Sequence, residues 1–274
     1  MTDASPTGDG RMIPSPGIGT WQNDDPEQCA ASVATALDVG YRHVDTAQAY
    51  GNEAAVGRGI ENASVDRDEL FLASKVWTSN LAGDEVDSTA RESRDRLGVE
   101  AIDLLYVHWP AGAYDPEDTL PAFGRLRDEG VIRHVGVSNF TPDLLEEAVE
   151  TCPAPILAHQ FECHPLLPQP ELRAACDRLD VVPVAYSPLA RGRVMEVPEL
   201  RTVADRHDAT PAQVSLAWLD EKDVVTIPKA TGRDHIEENH ESRGLELSPE
   251  DVDTIDAIDR RVRTVDPDFG PWNA

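Results

Sequence analysis

Lysine is nearly absent from this 274-residue sequence, with three lysines among 24 basic residues against 51 acidic ones. The formal net charge of −27 argues against nucleic acids and anionic membranes as partners, because both repel a strongly negative protein. We expect an adaptation to salt, in which surface carboxylates keep the protein hydrated and repel one another when salt is removed. Lys222 lies in an acidic run and reads as a surface residue, whereas Lys75 and Lys229 end apolar segments.

Cysteine motifs and long apolar runs are also missing. The four cysteines form no CxxC pair. Cys163 lies between His159 and His164, but the spacing matches no common zinc pattern, so we expect no metal. No basic-then-apolar leader and no apolar run of membrane length are present, which predicts a cytoplasmic protein with reduced thiols.

Short apolar segments alternate with helix-like segments along the chain. The strand candidates are 15–19, 41–45, 70–76, 102–108, 131–137, 156–161, 181–186 and 223–227. They lack clean alternation of apolar and polar residues, which is typical of parallel strands buried on both faces. After a first helix that begins at Asp25-Pro26, helix-like segments lie near 52–62, 82–97, 115–129, 141–150, 169–179, 197–220 and 232–240. Three helix starts carry a hydroxyl cap followed by proline: Thr141-Pro142, Thr210-Pro211 and Ser248-Pro249. Eight βα units predict a single (β/α)8 TIM barrel domain over residues 1–274, with residues 1–10 mobile.

Polar and aromatic residues cluster where the predicted strands end, which is where the active site of such a barrel lies. They are Trp21, Asp45, Lys75, Trp77, His108, Trp109, Ser138, Asn139, Gln160, Tyr186, Ser187 and Lys229. Each has a purely structural explanation when taken alone: Asp45 and Lys75 as an ion pair, or His108 as a core histidine. Their joint placement on consecutive strand ends favours an active site.

Tyr50 is the candidate proton donor of this site. A phenol has an unperturbed pKa of about 10, so we expect the Lys75 ammonium to lower its pKa while Asp45 orients the lysine. His108 would then donate a second hydrogen bond to the oxygen that Tyr50 protonates. No serine or cysteine nucleophile stands beside a base, so acyl transfer is not favoured. A tyrosine acid acting on a carbonyl predicts hydride transfer from a nicotinamide.

The dinucleotide signature GxGxxG is absent, because residues 17–22 lack its third glycine. A nicotinamide cofactor is therefore expected inside the barrel. Ser138, Asn139 and Gln160 are candidates for the carboxamide, and Tyr186 for stacking on the nicotinamide ring. The loop 187–193 offers backbone amides and arginines to the pyrophosphate. A local positive cluster for an anionic cofactor consists of Arg191, Arg193, Lys229 and Arg233.

The sequence resembles an aldo-keto reductase along nearly its whole length. The matching motifs are Gly-Ile-Gly-Thr-Trp (17–21), Gly-Tyr-Arg-His-Val-Asp-Thr-Ala-x-x-Tyr-Gly-Asn-Glu (40–53), Lys-Val-Trp (75–77), Asp-Leu-Leu-Tyr-Val-His-Trp-Pro (103–110), Gly-Val-Ser-Asn-Phe (136–140), Gln-x-Glu-x-His-Pro (160–165), Ala-Tyr-Ser-Pro-Leu (185–189) and Ile-Pro-Lys (227–229). The compact loop after His108 and the short tail are similar to prokaryotic members, some of which reduce keto-sugars or methylglyoxal-like aldehydes.

This resemblance implies NADPH-dependent reduction of aldehydes or ketones to alcohols by a catalytic tetrad. The tetrad is Asp45, Tyr50, Lys75 and His108, with Tyr50 as general acid. The substrate pocket would be lined by Trp21, Trp77, His108 and Trp109. The cofactor-binding residues would be Ser138, Asn139, Gln160, Tyr186, Ser187, Leu189, Arg191, Lys229, Arg233, His235, Glu238 and Asn239.

Two positions depart from the family pattern at the expected 2′-phosphate site. The family usually has serine after the Ile-Pro-Lys lysine and arginine six residues beyond it, where this chain has Ala230 and His235. Neutral histidine does not replace a charged guanidinium fork, so we expect weakened NADPH preference with NADH tolerated. Arg233 is a candidate to compensate.

Three functions remain open from the sequence. The favoured one is a monomeric carbonyl reductase that acts on a small molecule. The alternative is a non-catalytic, cofactor-sensing regulatory barrel of the same family, although all four catalytic positions are filled. A sugar-phosphate isomerase on the same fold would need a carboxylate base, and the tyrosine–lysine pair argues against it.

Overall fold

Eight parallel strands form the centre of the computed structural model, which describes residues 12–273. The strands are β1 (Ile18–Gly19), β2 (His43–Asp45), β3 (Phe71–Val76), β4 (Ile102–Val107), β5 (Ile132–Ser138), β6 (Ile156–Glu162), β7 (Val182–Tyr186) and β8 (Val225–Thr226). The α-helices in this range are α1 (Pro26–Val39), α2 (Glu53–Asn62), α3 (Gly83–Leu97), α4 (Pro116–Asp128), α5 (Pro142–Thr151), α6 (Pro170–Leu179), α7 (Pro198–His207), α8 (Pro211–Asp220), α9 (Arg233–Glu241) and α10 (Pro249–Asp256). The expected mobility of residues 1–10 concerns a segment outside the described residues.

The strands pair in sequence order from β1 to β8, and the sheet closes on itself. The amides of Gly17 and Gly19 donate to the carbonyl oxygens of Thr226 and Pro228, at 2.7 and 3.1 Å. A Cβ atom on Gly19 would lie 2.7 Å from the carbonyl oxygen of Ile227, so this close approach of β1 to β8 requires glycine. The predicted (β/α)8 barrel is confirmed, and its extent as one domain over residues 1–274 stays a prediction.

Alternate residues of the strands point into the barrel and fill it in layers. The interior cluster consists of Ile13, Phe71, Ala73, Leu104, Tyr106, Ala158, Val184, Val225 and Ile227. Because side chains two positions apart share a face of a strand, Lys75 follows Ala73 on the inner face, and Gln160 follows Ala158. The barrel interior is therefore apolar over most of its depth and polar at its carboxyl-terminal rim.

The outer faces of the strands are buried against the helices. Every residue of β3 and β4 is buried, which confirms the expectation of strands covered on both faces. Within residues 12–273, no helix is both long and apolar enough to span a bilayer.

Hydroxyl–proline pairs begin three of the helices, as the sequence patterns indicate. Thr141 caps α5, Thr210 caps α8 and Ser248 caps α10, and each side chain accepts a hydrogen bond from the backbone amide three residues later. Proline occupies the first helical position in each case, where its missing amide hydrogen costs nothing. Local chemistry alone therefore places these three starts.

The sequence predicted one helix-like segment over 197–220, with a helix start at Thr210-Pro211; the continuity of that segment was wrong, and the start at Thr210 is confirmed. The chain forms two helices, α7 and α8, separated by Asp208 in the left-handed conformation (φ 50°). Thr210 and Pro211 then start a new helix with a complete capping box, in which the Gln213 side-chain oxygen accepts a hydrogen bond from the Thr210 amide. The apolar periodicity continues through this region, but the capping residues at Thr210 and Pro211 start a second helix there.

Candidate active site

A cleft of about 1250 Å³ opens at the carboxyl-terminal ends of the strands. Most of the predicted site residues line it: Trp21, Asp45, Tyr50, Trp77, His108, Trp109, Ser138, Asn139, Gln160, Tyr186, Ser187, Leu189, Arg191, Lys229, His235, Glu238 and Asn239. Lys75 lies just beneath, with 1% of its surface exposed. Two other predicted residues, Arg193 and Arg233, do not line the cleft.

A buried ion pair between Lys75 and Asp45 forms the floor of the cleft. The Lys75 ammonium donates to Asp45 Oδ1 at 2.5 Å and to the carbonyl oxygen of Thr46 at 2.9 Å. Gln160 Nε2 donates to the other carboxylate oxygen of Asp45 at 2.8 Å. Burial lowers the pKa of Lys75, and the Asp45 charge opposes this effect. The lysine is therefore held in one orientation by partners on β2 and its following loop.

Tyr50 ends a short 3-10 turn, Gln48–Tyr50, that leads from β2 into α2. Its ring centroid lies 5.3 Å from Lys75 Nζ and 5.9 Å from the His108 ring, which meets it edge-on. Burial, and then the charge of Asp45, raise the pKa of Tyr50 well above its ordinary value. The expected lowering of the Tyr50 pKa is therefore wrong, since burial and the Asp45 charge set its direction. The phenol is neutral at neutral pH, which is the form that donates a proton.

His108 stands beside Tyr50 at the end of β4 as a neutral imidazole. Burial and the Lys75 charge hold the pKa of His108 well below its ordinary value. Its ring packs edge-on against Trp77, with centroids 5.1 Å apart, and its Nδ1 atom has no hydrogen-bond partner among the described residues. A neutral imidazole donates through one ring nitrogen, so His108 is suited to orienting a carbonyl oxygen without carrying charge.

Aromatic side chains form the upper walls of the cleft. Phe269 meets both Trp109, at 5.3 Å between ring centroids, and Trp77, at 6.4 Å. Gln48 fixes the loop that carries Trp77, because its side-chain oxygen accepts from the Trp77 amide at 3.0 Å. Across the cleft, the Arg191 guanidinium lies over the Trp21 ring at 4.4 Å.

The polar groups expected at the carboxamide form one connected network. Asn139, in the left-handed conformation (φ 64°), donates to the His108 carbonyl oxygen and to Ser138 Oγ, both at 3.0 Å. Its own oxygen accepts from the Tyr186 hydroxyl at 2.7 Å. Gln160 donates one amide hydrogen to Asp45 and keeps its side-chain oxygen as a hydrogen-bond acceptor. The Ser138 hydroxyl as donor, with the Asn139 and Gln160 oxygens as acceptors, fits the hydrogen-bonding groups of a carboxamide.

The loop after β7 approaches the cleft in an unusual backbone conformation. Ser187, Ala190, Arg191 and Gly192 all have positive φ, between 47° and 86°. Arg191 lines the cleft together with Lys229, whereas Arg193 does not. Two cations in the cleft of a chain with net charge −27 suit an anionic ligand such as a pyrophosphate.

The far end of the cleft is lined by residues of α9. His235 Nδ1 and Glu238 Oε2 lie 3.2 Å apart, and the His235 side chain is 78% exposed. Asn239 is buried beside them. Arg233, expected to compensate for the missing family arginine, instead pairs with Glu237 at 2.7 Å on the outer face of α9. Histidine is thus the one basic side chain of α9 that faces the cleft.

No sequence pattern predicted that the carboxyl-terminal segment forms one wall of the cleft. The lining residues from this segment are Thr264, Val265, Asp266, Pro267 and Phe269. They belong to no motif and to no regular strand or helix. The sequence feature that could have indicated this wall is Glu162, a carboxylate at the end of β6. The sequence alone does not show which residues donate hydrogen bonds to it.

The described residues contain no group of three or more His, Cys, Asp or Glu side chains arranged to hold a metal ion. Cys163, His159 and His164 do not converge. His159 Nδ1 faces the Cys176 thiol, whereas His164 Nε2 meets Glu162. The four cysteines are free and buried.

A closed (β/α)8 barrel, a tyrosine above a buried lysine–carboxylate pair, and a cleft suited to a carboxamide and a pyrophosphate together define a nicotinamide-dependent oxidoreductase. The family model "Aldo/keto reductase family" matches residues 16–260. The chain belongs to this family, and it reduces aldehydes or ketones to alcohols with NAD(P)H.

Similar proteins cover nearly the whole chain. An aldo-keto reductase of Mycobacterium sp. (strain KMS) is 40% identical over 270 residues, 97% of this chain and 96% of that protein. A methylglyoxal reductase of Escherichia coli O157:H7 is 36% identical over 259 residues, 93% of this chain and 97% of that protein. A Bombyx mori aldo-keto reductase, solved in complex with NADP, superposes with a TM-score of 0.86 at 30% identity, covering 95% of this chain and 94% of the other.

Proposed function

We propose that Tyr50 donates its proton to the carbonyl oxygen of the substrate. The buried Asp45–Lys75 pair beneath the Tyr50 ring carries this proposal, because it places a fixed ammonium close to the phenolate that forms. His108, neutral beside Tyr50, donates a hydrogen bond to the same oxygen and orients it. Reduced nicotinamide, when bound, supplies the hydride for the carbonyl carbon.

The proton is therefore transferred from the Tyr50 oxygen to the substrate oxygen. The alcohol product contains this proton on oxygen and the hydride on carbon. Reprotonation of Tyr50 from solvent completes the cycle. The aromatic walls exclude water from one side of the carbonyl and favour flat or small apolar substrates. The similarity to a methylglyoxal reductase supports small aldehydes as one substrate class.

The test is the loss of reduced-cofactor absorbance with a panel of small and aromatic aldehydes, in molar KCl, with NADPH and NADH in parallel. We expect turnover with both cofactors, because Ala230 and His235 supply no permanent charge to a 2′-phosphate. No turnover across the panel, with cofactor binding intact by fluorescence, would favour the regulatory alternative.

Restoring the family residues with Ala230→Ser and His235→Arg should raise the ratio of kcat/KM for NADPH to that for NADH. A charge-assisted hydrogen bond contributes about 1.5–3 kcal/mol, so the ratio should rise by about 10-fold or more. Steady-state kinetics of the double variant with each cofactor measures this change.

Arg233→Ala is the matched control for this experiment. Arg233 pairs with Glu237 outside the cleft, so its loss should leave the cofactor ratio within about twofold. A large fall in NADPH preference in this variant would mean that Arg233 moves onto the phosphate, and would overturn the role given to His235.

We also propose that the acidic surface is an adaptation to salt. The melting temperature should rise by at least about 5 °C between roughly 0.05 M and 2 M KCl, since added ions screen repulsion among the excess carboxylates. Differential scanning fluorimetry measures the shift, with sucrose at matched osmolality as the control. Equal stabilisation by sucrose would attribute the effect to solute exclusion and refute the screening argument.

We propose a cytoplasmic monomer, without nucleic-acid or membrane partners. Free, buried cysteines suit a reducing compartment. Among the described residues, the large apolar side chains that are exposed are Met12, Met195 and Phe269, and Phe269 belongs to the cleft wall rather than to a flat apolar patch.

A further inference from the structure

The carboxyl-terminal wall of the cleft has no regular secondary structure to hold it. Between the end of α10 at Asp256 and a single 3-10 turn at Pro271–Asn273, residues 257–270 form neither helix nor strand. Nevertheless Thr264 through Pro267, and Phe269, line the cleft. Contacts with the barrel must therefore fix the position of this segment, and one of them is the Val262 amide, which donates to the Leu166 carbonyl oxygen at 2.9 Å.

Glu162 provides the side-chain contacts that hold residues 264–265 to the barrel. It is completely buried at the end of β6. Its Oε1 atom accepts from the Thr264 amide at 2.7 Å and from the Thr264 hydroxyl at 2.5 Å, and its Oε2 atom accepts from the Val265 amide at 2.9 Å. One carboxylate thus holds two consecutive backbone amides of a segment about one hundred residues away in the sequence.

The fourth polar contact of the Glu162 carboxylate is with His164. His164 Nε2 lies 3.0 Å from Oε1. Burial acts to raise the pKa of Glu162, but the hydrogen bonds from His164, Thr264 and Val265 together hold it below its ordinary value. An ionised carboxylate can only accept hydrogen bonds. This suits Glu162, because the Thr264 amide and hydroxyl and the Val265 amide all donate to it.

The wall continues outward from this anchor to the aromatic residues of the cleft. Asp266 accepts from Trp272 Nε1 at 2.8 Å, which closes the segment into a compact loop. This loop presents Phe269 to Trp109 and Trp77. A displacement at residues 264–265 would therefore move the Phe269 ring, while the groups below it, Tyr50 among them, would stay in place.

We propose that Glu162 is a positioning residue that sets the carboxyl-terminal wall of the substrate pocket and, through that wall, the affinity for bulky aromatic carbonyls. The proposal rests on the proposed function of the cleft as a carbonyl-reduction site. In this role the Glu162 carboxylate acts only through its contacts with His164, Thr264 and Val265. Its effect passes through Thr264 and Val265 to Phe269.

Glu162→Gln is the sharpest test, because it keeps the shape and replaces one acceptor oxygen by a donor that faces another donor. Hydrogen exchange of the amides of residues 264–265 should become at least about tenfold faster, while strand β4 keeps its protection. The KM for naphthaldehyde should rise by about tenfold, whereas kcat/KM for methylglyoxal and the dissociation constant of NADPH stay within about twofold.

Asp251→Asn is the matched control. Asp251 is another buried carboxylate, which accepts hydrogen bonds from the Ser248 amide and hydroxyl and from Arg206, but it lies on α10 away from the cleft. Loss of this carboxylate should lower stability without changing the ratio of the two KM values. If both variants change all kinetic constants alike, Glu162 has only a general role in folding and the proposal fails.

Other outcomes also decide the proposal. Unchanged exchange at residues 264–265 would show that Glu162 is not the anchor, and faster exchange with unchanged KM would show that the wall does not select substrate. If Glu162→Gln does not fold, Thr264→Val removes the hydroxyl contact to Glu162, and because Thr264 itself lines the cleft, the deciding readout is faster exchange of the Val265 amide. If the wild type turns over neither aldehyde, the proposed function fails, and dissociation constants for the same aldehydes from tryptophan quenching test the wall independently.

Discussion

Tyr50→Phe should lower kcat by about 10²- to 10⁴-fold, the usual contribution of a positioned general acid, and leave the dissociation constant of NADPH within about twofold. The substitution removes one hydroxyl and keeps the ring that packs edge-on against His108. Stopped-flow measurement of a single turnover, together with fluorescence titration of the cofactor, separates the chemical step from binding.

Tyr114→Phe is the control for this variant. Its hydroxyl is buried and has no hydrogen-bond partner among residues 12–273, and it lies outside the cleft. Removing it should leave kcat unchanged. Retained turnover in Tyr50→Phe would mean that another group, with His108 the nearest candidate, supplies the proton. Loss of cofactor binding in parallel with turnover would make Tyr50 a binding residue.

Lys75→Met should reduce both turnover and stability. The substitution leaves the Asp45 carboxylate buried with 2% of its surface exposed, without its cation. Breaking a buried ion pair in this way costs about 3–5 kcal/mol of unfolding free energy, because an uncompensated charge remains. Turnover should fall as well, since no ammonium then lies close to the phenolate that forms at Tyr50. Guanidinium unfolding and steady-state kinetics measure the two effects.

A second substitution separates stability from catalysis. Asp45→Asn added to Lys75→Met removes the unpaired charge and keeps an oxygen for the Gln160 amide, so most of the lost stability should return. Turnover should stay low, because the ammonium is still missing. If the double variant recovers turnover together with stability, Lys75 acts only as a structural partner. If Lys75→Met alone is as stable as the wild type, the pair is not desolvated as the structure indicates.

Local sequence chemistry accounts for the parts of this protein that repeat along the chain. Apolar β-branched segments predict the strands, and Thr210-Pro211 and Ser248-Pro249 predict helix starts, because both signals depend on neighbouring residues alone. Polar residues at strand ends predict the rim of the cleft once the barrel is inferred, since parallel strands all end at the same face. Asp45 and Lys75, thirty residues apart, could be paired on this ground.

Contacts between distant segments determine the remainder. The sequence predicted a lowered pKa for Tyr50, but the depth of burial, which only the folded chain sets, raises it. Arg233 was expected at the cofactor, and its position on the outer face of α9 pairs it with Glu237 instead. Whether Arg233 faces the cofactor or Glu237 depends on the rotation of α9 about its axis, which no local sequence pattern specifies.

The sequence by itself thus determined the barrel, its order of strands and helices, and the identity of the polar groups at its rim, because periodicity and capping are short-range properties. Only the tertiary structure decided the carboxyl-terminal wall, where Thr264 and Val265 meet Glu162 about one hundred residues away. Nothing in the local chemistry of residues 257–270 favours a helix or a strand. The position of residues 264–265 is fixed by the Glu162 carboxylate at the end of β6. This carboxylate requires hydrogen-bond donors only once the folded barrel has buried it.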